Sequence, residues 1–432
     1  MPSIPFKPVF ALADVNSMYC SCERAYRPDL RNTPIAVLSN NDGCVIAQTS
    51  ELKALGISMA QPWFEVEEEA RKLGVVVFSS NYELYAEFSN RFVETLRHFA
   101  PRVEVYSIDE CFLDLTGMKR DLNTLGHEIK DRVLQWTTFP ICVGIGHSKT
   151  LAKLANKVAK KQTQFNGVCD FTSMSETELD ALLKTLDVEK VWGVGRQLTA
   201  KLNKLGVNSV LRLKRADPKR IRDEFGVVLE RTVMELNGES WLEFTEVAPP
   251  GKQIMSSRSF GQRLNTINEL EEAIAFHASN ATARLRKQGQ FASAVHCFIQ
   301  NSPFDQAPYY GMSLTVALPS PTDCTFKITK AALYLLRQMY KPDIYYQKVG
   351  VMLMELVPAE GQQIDLFGFS AKNDKSDRLM KILDRINDKH GRGMLRLAAE
   401  GNNKSWAMRR SYKSPNYTGN WKELPVIGQP FA

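Results

Sequence analysis

Three carboxylates stand where acids are expensive to place. Asp14 closes the apolar run Val9-Phe10-Ala11-Leu12-Ala13, and Asp109 and Glu110 sit side by side in Tyr106-Ser107-Ile108-Asp109-Glu110. A carboxylate next to a hydrophobic run is costly to bury without a partner. Hard divalent cations with oxygen ligands relieve that cost, and Mg²⁺ typically takes one or two carboxylates plus substrate phosphates. Two such ions can clamp the attacking and leaving oxygens of a nucleotidyl transfer. Strict strand alternation would send Asp109 and Glu110 to opposite faces, so their convergence requires a turn between two strands within 103–115. The competing reading is one acid in a turn and another on the surface, and further motifs must decide between the two.

The second constellation is basic. Residues 147–169 hold five lysines and no acid, and Lys149, Lys153, Lys157 and Lys161 repeat every four residues beside an apolar stripe of Leu151, Leu154, Ala155 and Val158. The spacing predicts a helix with its lysines on one broad face, suited to phosphates. A plain amphipathic surface helix is the alternative, but such helices usually mix their charges. Further on, Val191-Trp192-Gly193-Val194-Gly195, followed by Arg196 and a helical run to Gly206, fits a helix-hairpin-helix element. Glycines there let backbone N–H groups at a helix start approach a DNA phosphate. Finally, Gln363-Ile364-Asp365-Leu366-Phe367 is a short peptide able to dock in a preformed apolar pocket, or else the remnant of a strand or helix.

The elements that must position these groups alternate in type. Strands are expected at 9–14, 35–39, 44–47, 75–78, in two pieces across 103–115, and at 141–145, with helices over 82–98 and 122–136. This mixture indicates an α+β core. From 175 to 236 the pattern is helical and basic, 242–252 reads as a linker, and 253–357 alternates three strands with two helices as a second α+β domain. After Pro358 the chain is polar and basic, so the tail is expected to be extended or only partly folded.

Composition bounds the possibilities. With 432 residues the chain is too long for one core. No run of apolar residues is long enough to span a bilayer, and the amino terminus does not read as a signal peptide. Eight scattered cysteines without a CxxC pair, and only six histidines, argue against a zinc site or a disulfide framework and for reduced thiols in the cytoplasm. The net charge of +7 resides in residues 371–432, with 13 Lys/Arg against 6 Asp/Glu, while 190–231 carries 11 against 4. Local basic surfaces on a neutral body suit a protein that binds polyanions.

Taken together, these residues resemble the Y-family DNA polymerases. Phe10 through Glu23 is similar to the first palm motif of that family and Tyr106 through Glu110 to the second. Leu38 through Ala47, Ser79 through Tyr85, Ser302-Pro303-Phe304, Pro308 through Gly311, and the tail stretches Gly391 to Gly393, Trp406, Arg409-Arg410 and Ser414 to Tyr417 are similar specifically to UmuC-type catalytic subunits of bacterial DNA polymerase V. The resemblance implies a right-hand polymerase with a ferredoxin-like palm (9–23 and 81–170), small fingers (24–80), a helical thumb (171–241), an α+β little finger (253–357) and a basic tail (358–432). It implies low-fidelity synthesis past damaged template bases in an SOS-type response. Asp14, Asp109 and Glu110, with the Val15 carbonyl, would hold two Mg²⁺ ions, and Tyr19 would read the sugar. Lys53, Tyr85 and Lys160 would grip the incoming triphosphate. Lys149, Lys153, Gly193, Gly195 and Arg196 are the expected DNA contacts. Gln363, Leu366 and Phe367 would bind a β sliding clamp. Primer–template DNA, dNTP, a processed UmuD-type dimer and a RecA filament are the implied partners. Two rivals remain: a nucleotide cyclase would share the carboxylates but not the thumb, little finger or clamp peptide, and a DNA-binding accessory subunit would not need Asp109-Glu110. Asn16 departs from the acid that many members carry at its position, and Ser50 from a tyrosine.

Overall fold

The computed structural model of the protein describes residues 7–247, 249–360, 374–391, 393–402 and 406–424. Two compact units make up the chain: Met1–Ser39, Gly43–Ala248 and Tyr412–Ala432 form the first, and Asn40–Asp42 with Pro249–Ser411 the second.

The first unit begins with β1 (Phe10–Val15) and α1 (Met18–Ala25). A small sheet follows from β2 (Ile35–Leu38), β3 (Val45–Gln48) and β4 (Val76–Ser79) in the order β3-β2-β4, with α2 (Ser50–Ala54) and α3 (Trp63–Lys72) between its last two strands. Next come α4 (Tyr82–Leu96), β5 (Val103–Val105), β6 (Glu110–Asp114), α5 (Leu122–Thr137), β7 (Ile141–Gly146), α6 (Lys149–Lys161) and β8 (Val168–Asp170). Their strands make one five-stranded sheet in the order β5-β6-β1-β7-β8. Helices α4 and α5 pack on one face around Phe88, Phe92, Ile129 and Phe139, and α6 lies on the other. A helical segment completes the unit: α7 (Glu176–Thr185), α8 (Arg196–Lys204), α9 (Val210–Lys214), α10 (Pro218–Phe225) and α11 (Val227–Leu236).

The second unit is an antiparallel sheet of β9 (Ile254–Leu264), β10 (Gln290–Gln300), β11 (Gly311–Thr322) and β12 (Tyr346–Pro358), ordered β11-β10-β12-β9. It is covered by α12 (Ile267–Lys287) and α13 (Thr325–Met339), and α14 (Asp374–His390) follows. The α+β class and most expected elements agree with this arrangement to within a few residues. β9 was not expected, because Ile254–Leu264 reads Ile-Met-Ser-Ser-Arg-Ser-Phe-Gly-Gln-Arg-Leu and only its few large apolar residues face the core.

The described stretches of the tail are folded, which corrects the expectation of an extended segment there. Helix α14 buries Met380, and Arg286, itself nearly buried, grips Asp384 through two nitrogens at 2.6 and 2.8 Å. Leu397, Trp406 and Tyr417 are buried as well. Widely spaced anchors of this kind leave the composition polar, which is why the sequence reads as unstructured.

Helix α6 is fastened to the large sheet by close backbone approach. Asn156 lies in the interior and donates to the carbonyls of Leu12 on β1 and Cys142 on β7, at 3.2 and 2.7 Å. Opposite it, a Cβ placed on Gly144 would stand 2.0 Å from the Asn156 nitrogen and 2.3 Å from the Ala152 carbonyl oxygen. Both obstacles are backbone and cannot swing aside. Gly144→Ala is therefore expected to lower the first unfolding transition in urea by about 1–3 kcal/mol or more, the ordinary cost of overpacking. An unaltered midpoint would show that α6 can lift from the sheet freely.

Candidate active site

The acids meet because β1 lies between β6 and β7. Asp14 and Glu110 are direct partners across the β1–β6 ladder, which puts their side chains on one face with Cβ atoms about 5 Å apart. Asp109 belongs to the bend before β6. Its carbonyl accepts from the Val15 N–H at 2.9 Å, and its carboxylate accepts from the Ser107 hydroxyl at 2.6 Å. The turn required for convergence is therefore present: Ser107 also accepts from the Glu110 N–H at 3.0 Å and closes it. Asp109 is close enough to raise the pKa of both Asp14 and Tyr19.

Two lysines of α6 reach these acids. Lys160 Nζ stands 2.6 Å from Asp14 Oδ1, and Lys153 Nζ lies 2.8 Å from each oxygen of Glu110. The ammonium of Lys153 is also caged by the rings of Tyr106, at 4.3 Å, and Trp192, at 5.1 Å, a desolvated setting in which cation–π attraction is strongest. Burial nonetheless outweighs Lys160 and pushes Asp14 up to about 6, with Glu110 and Asp109 adding to the rise.

The charge balance bears on a metal. Among the described residues no three His, Cys, Asp or Glu side chains are gathered closely enough to hold an ion as they stand, since the lysines draw two of the acids toward α6. The donors are nevertheless hard carboxylate oxygens on adjacent backbone positions. Two carboxylates paired across the ladder with a third beside them make a donor set that fits a divalent cation such as Mg²⁺.

The lysine column itself is corrected. Expected as one open face for phosphates, it turns inward at its first members. Lys149 is 3% exposed, bonded to Glu104 and to the Glu243 carbonyl, with the rings of Phe112 and Phe244 each 5.3 Å away. Lys157 donates to the Lys190 carbonyl at 2.7 Å. Neither Lys149 nor Lys153 is placed to meet DNA. The i+4 repeat fixes a shared face, but Glu104 on β5 and Glu110 at the start of β6 decide what its first members look at.

Tyr19, on α1, is half-buried, and its pKa is raised by burial, then by Tyr82 and Asp109. Its ring stacks on Tyr85 at 4.5 Å and 15°. Tyr85 is corrected too: it is fully buried, and its hydroxyl donates to Glu23 Oε1 at 2.7 Å, so it has no group to offer a triphosphate. Glu23 escaped sequence reasoning, although its spacing from Tyr19 (i, i+4 on one helix) was a usable signal. Ser107 and Trp192 stood within motifs read from the sequence but without a role of their own, and Glu104 was missed. Lys53 lies exposed on α2. Asn16 donates to Cys142 Sγ at 3.5 Å.

The hairpin is open. Gly193 has φ +84°, a region that disfavours other residues, and Gly195 caps α8; neither would meet an atom within 4 Å if given a Cβ, and Arg196 beside them is exposed. Gln363, Leu366 and Phe367 lie outside the described residues. No helix among the described residues is long and apolar enough to cross a membrane.

Comparison with known proteins places this geometry. The chain matches the impB/mucB/samB family over residues 13–157, that family's C-terminal domain over 251–366, its helix-hairpin-helix motif over 176–207, and a domain of unknown function over 377–427. It is 46% identical over 420 residues to protein UmuC of Salmonella typhimurium, covering 96% of this chain and 99% of that one. Protein MucB of Escherichia coli is 41% identical, with 97% and 99% covered. DNA polymerase IV of Moorella thermoacetica is 29% identical, with 90% and 94% covered. Among solved structures, a Y-family DNA polymerase chimera of Dbh and Dpo4 superimposes with a TM-score of 0.65 at 20% identity, covering 81% of this chain and 99% of that one.

The buried and the open cations should behave differently. Removing one partner of a buried ion pair costs about 3–5 kcal/mol, so Lys149→Ala is expected to lower thermal stability while the salt dependence of DNA binding is unchanged. Arg196→Ala should do the reverse, reducing the slope of log K against log salt by about one phosphate contact. Titrations of fluorescent primer–template at several salt concentrations, beside thermal melts, separate the two.

Proposed function

Because the chain belongs to the impB/mucB/samB family of Y-family DNA polymerases, we propose that the acids and lysines at the end of the large sheet are its nucleotidyl-transfer centre. The protein is a UmuC-like polymerase that binds DNA and synthesises it past damaged template bases. The observation that carries the assignment of the centre is the direct pairing of Asp14 with Glu110, with Asp109 held beside them.

In this reading Asp14, Asp109, Glu110 and the Val15 carbonyl would hold two Mg²⁺ ions, which would supply charge to the reacting phosphate and lower the cost of an ionised primer hydroxyl. The primer 3′-oxygen attacks the α-phosphate, the bond to the β-phosphate breaks, and pyrophosphate leaves. Lys160 lies in the last turn of α6 and is the more exposed of the two lysines, 32% against 13% for Lys153. It is the one able to exchange a carboxylate for the incoming triphosphate, with Lys53 as a further contact. The ring of Tyr19 beneath the sugar leaves room for a 2′-hydrogen and collides with a 2′-hydroxyl, a discrimination that works by repulsion. Gly193, Gly195 and Arg196 take the DNA backbone at a helix start. The palm, fingers, thumb and little finger are assigned to 9–23 with 81–170, 24–80, 171–241 and 253–357. Beyond DNA and dNTP, the partners of the reading are a β sliding clamp, a processed UmuD-type dimer and a RecA filament, in the bacterial cytoplasm.

Primer extension by the purified chain with Mg²⁺ and dNTPs tests the centre. Asp109→Asn is expected to abolish nucleotide addition with DNA affinity near wild type, and wild-type extension rates from that variant would remove Asp109 from the centre. For the clamp peptide, the combined Leu366→Ala and Phe367→Ala variant loses two apolar anchors, each worth about 1.5–3 kcal/mol if buried in a partner. Basal extension on short templates should persist while stimulation by the clamp disappears. Equal stimulation of variant and wild type would take the peptide out of the reading.

A further inference from the structure

A cluster of buried polar groups behind Tyr19 serves no purpose in the centre as so far described. Ser79, Ser80, Asn81, Glu23 and Ser414 are all almost completely buried. Buried polar groups are costly unless satisfied, and this set is only partly so: Ser80 Oγ makes no hydrogen bond with the described residues. Apolar side chains of similar volume would hold the region together as well or better. The cluster is therefore better explained by what it positions than by stability.

Its members come from three places. Helix α1 contributes Tyr19 and Glu23, with Tyr26 just beyond its end, at positions i, i+4 and i+7 along one side. Helix α4 contributes its cap Asn81, whose Oδ1 accepts from the Leu84 N–H at 3.5 Å, and then Tyr85 and Phe88. The third contributor is the carboxy-terminal segment. Its Tyr412 carbonyl accepts from the Ser79 N–H at 2.9 Å, and its own N–H donates to Ser79 Oγ at 2.9 Å. Asn81 Nδ2 donates to Ser414 Oγ at 2.9 Å and to its carbonyl at 3.3 Å. Tyr417 stacks on Tyr26 at 4.5 Å. The segment thus holds the start of α4 and the far end of α1, the two helices whose tyrosines stack in front.

We propose that residues 412–417 are a positioning element for sugar discrimination, fixing Asn81 at the start of α4 and Tyr26 just beyond α1, and through these two helices the ring of Tyr85 on which Tyr19 is stacked. This rests on the reading of Tyr19 as the residue that excludes a 2′-hydroxyl. Tyr85 is a positioning residue here: its hydroxyl is bound to Glu23, which stops the ring from sliding, and its face sets the plane of Tyr19. The environment of Glu23 agrees. Burial pushes its carboxyl up to about 7, and the opposing influences are the Tyr85 hydroxyl and then Ser414 and Lys413 of the tail. The region matched as a domain of unknown function includes this segment, which gives part of that domain a task in the polymerase reaction.

The test is the ratio of kcat/KM for dNTP over rNTP in the full-length protein. Tyr19→Ala serves as the reference and should lose most of the ratio. Tyr85→Phe and Ser414→Ala each remove a hydrogen bond but leave Tyr19 intact. They are expected to lower the ratio about two- to tenfold, chiefly through a lower KM for rNTP with kcat for dNTP little changed. Glu23→Gln keeps an acceptor for the Tyr85 hydroxyl and should remain near wild type, whereas Glu23→Ala should follow Tyr85→Phe. A wild-type ratio in Tyr85→Phe and Ser414→Ala, with Tyr19→Ala impaired, overturns the proposal and leaves the gate in place. So does a parallel fall of dNTP and rNTP kinetics together with the melting temperature, which marks a purely structural role. An unchanged ratio in Tyr19→Ala itself removes the gate and the proposal with it.

Discussion

Asp14 and Glu110 stand directly across a strand pair, partly withdrawn from water, and the cost of burying two acids side by side is the constraint to which the rest of the first unit answers. Two carboxylates so close in a region of low dielectric cannot both remain charged without compensation. Helix α6 supplies it with Lys160 on one acid and Lys153 on the other. A helix delivering two ammonium groups seven residues apart to neighbouring strands has little freedom of rotation or slide. Asn156 and Gly144 are the devices that remove what is left, one by bonding to β1 and β7 and the other by having no side chain.

The same helix is fixed at its start by the helical segment that follows the sheet. Glu235 at the end of α11 accepts from the Thr150 N–H at 3.0 Å, while the Ser148 hydroxyl donates to the Glu235 carbonyl at 2.7 Å. A carboxylate at a helix start is favoured by the dipole as well as by the free N–H groups. The other oxygen of Glu235 accepts from the N–H groups of Trp241 and Leu242. One buried acid therefore organises the end of the helical segment, the chain leaving it, and the helix that neutralises the centre.

Much of this was legible in the sequence. Strand and helix periods located most of the elements, though not α1, α2, α3, β8, β9 or α14, and the acids were found from residue type and neighbouring apolar runs. What the sequence concealed was direction. Four-residue spacing aligns Lys149, Lys153 and Lys157, but whether that line faces water or an acid depends on strands more than 40 residues earlier. Tyr85 sits in a motif-like stretch, yet its hydroxyl is taken by Glu23 from another helix. The tail looked unstructured because its anchors, Met380, Leu397, Trp406 and Tyr417, are too far apart to make a period.

Direction also links the two ends of the proposed reaction surface. The hairpin glycines lie next to Trp192, and Trp192 covers the ammonium of Lys153, which in turn holds both oxygens of Glu110. The same indole packs against Tyr106, only three residues before Asp109. A DNA backbone seated on Gly193 and Gly195 would thus bear on the very ring that keeps Lys153 in place. In the proposed reading, charge compensation at Glu110 and the contact with DNA would both rest on one packed cluster, the rings of Tyr106 and Trp192 around Lys153.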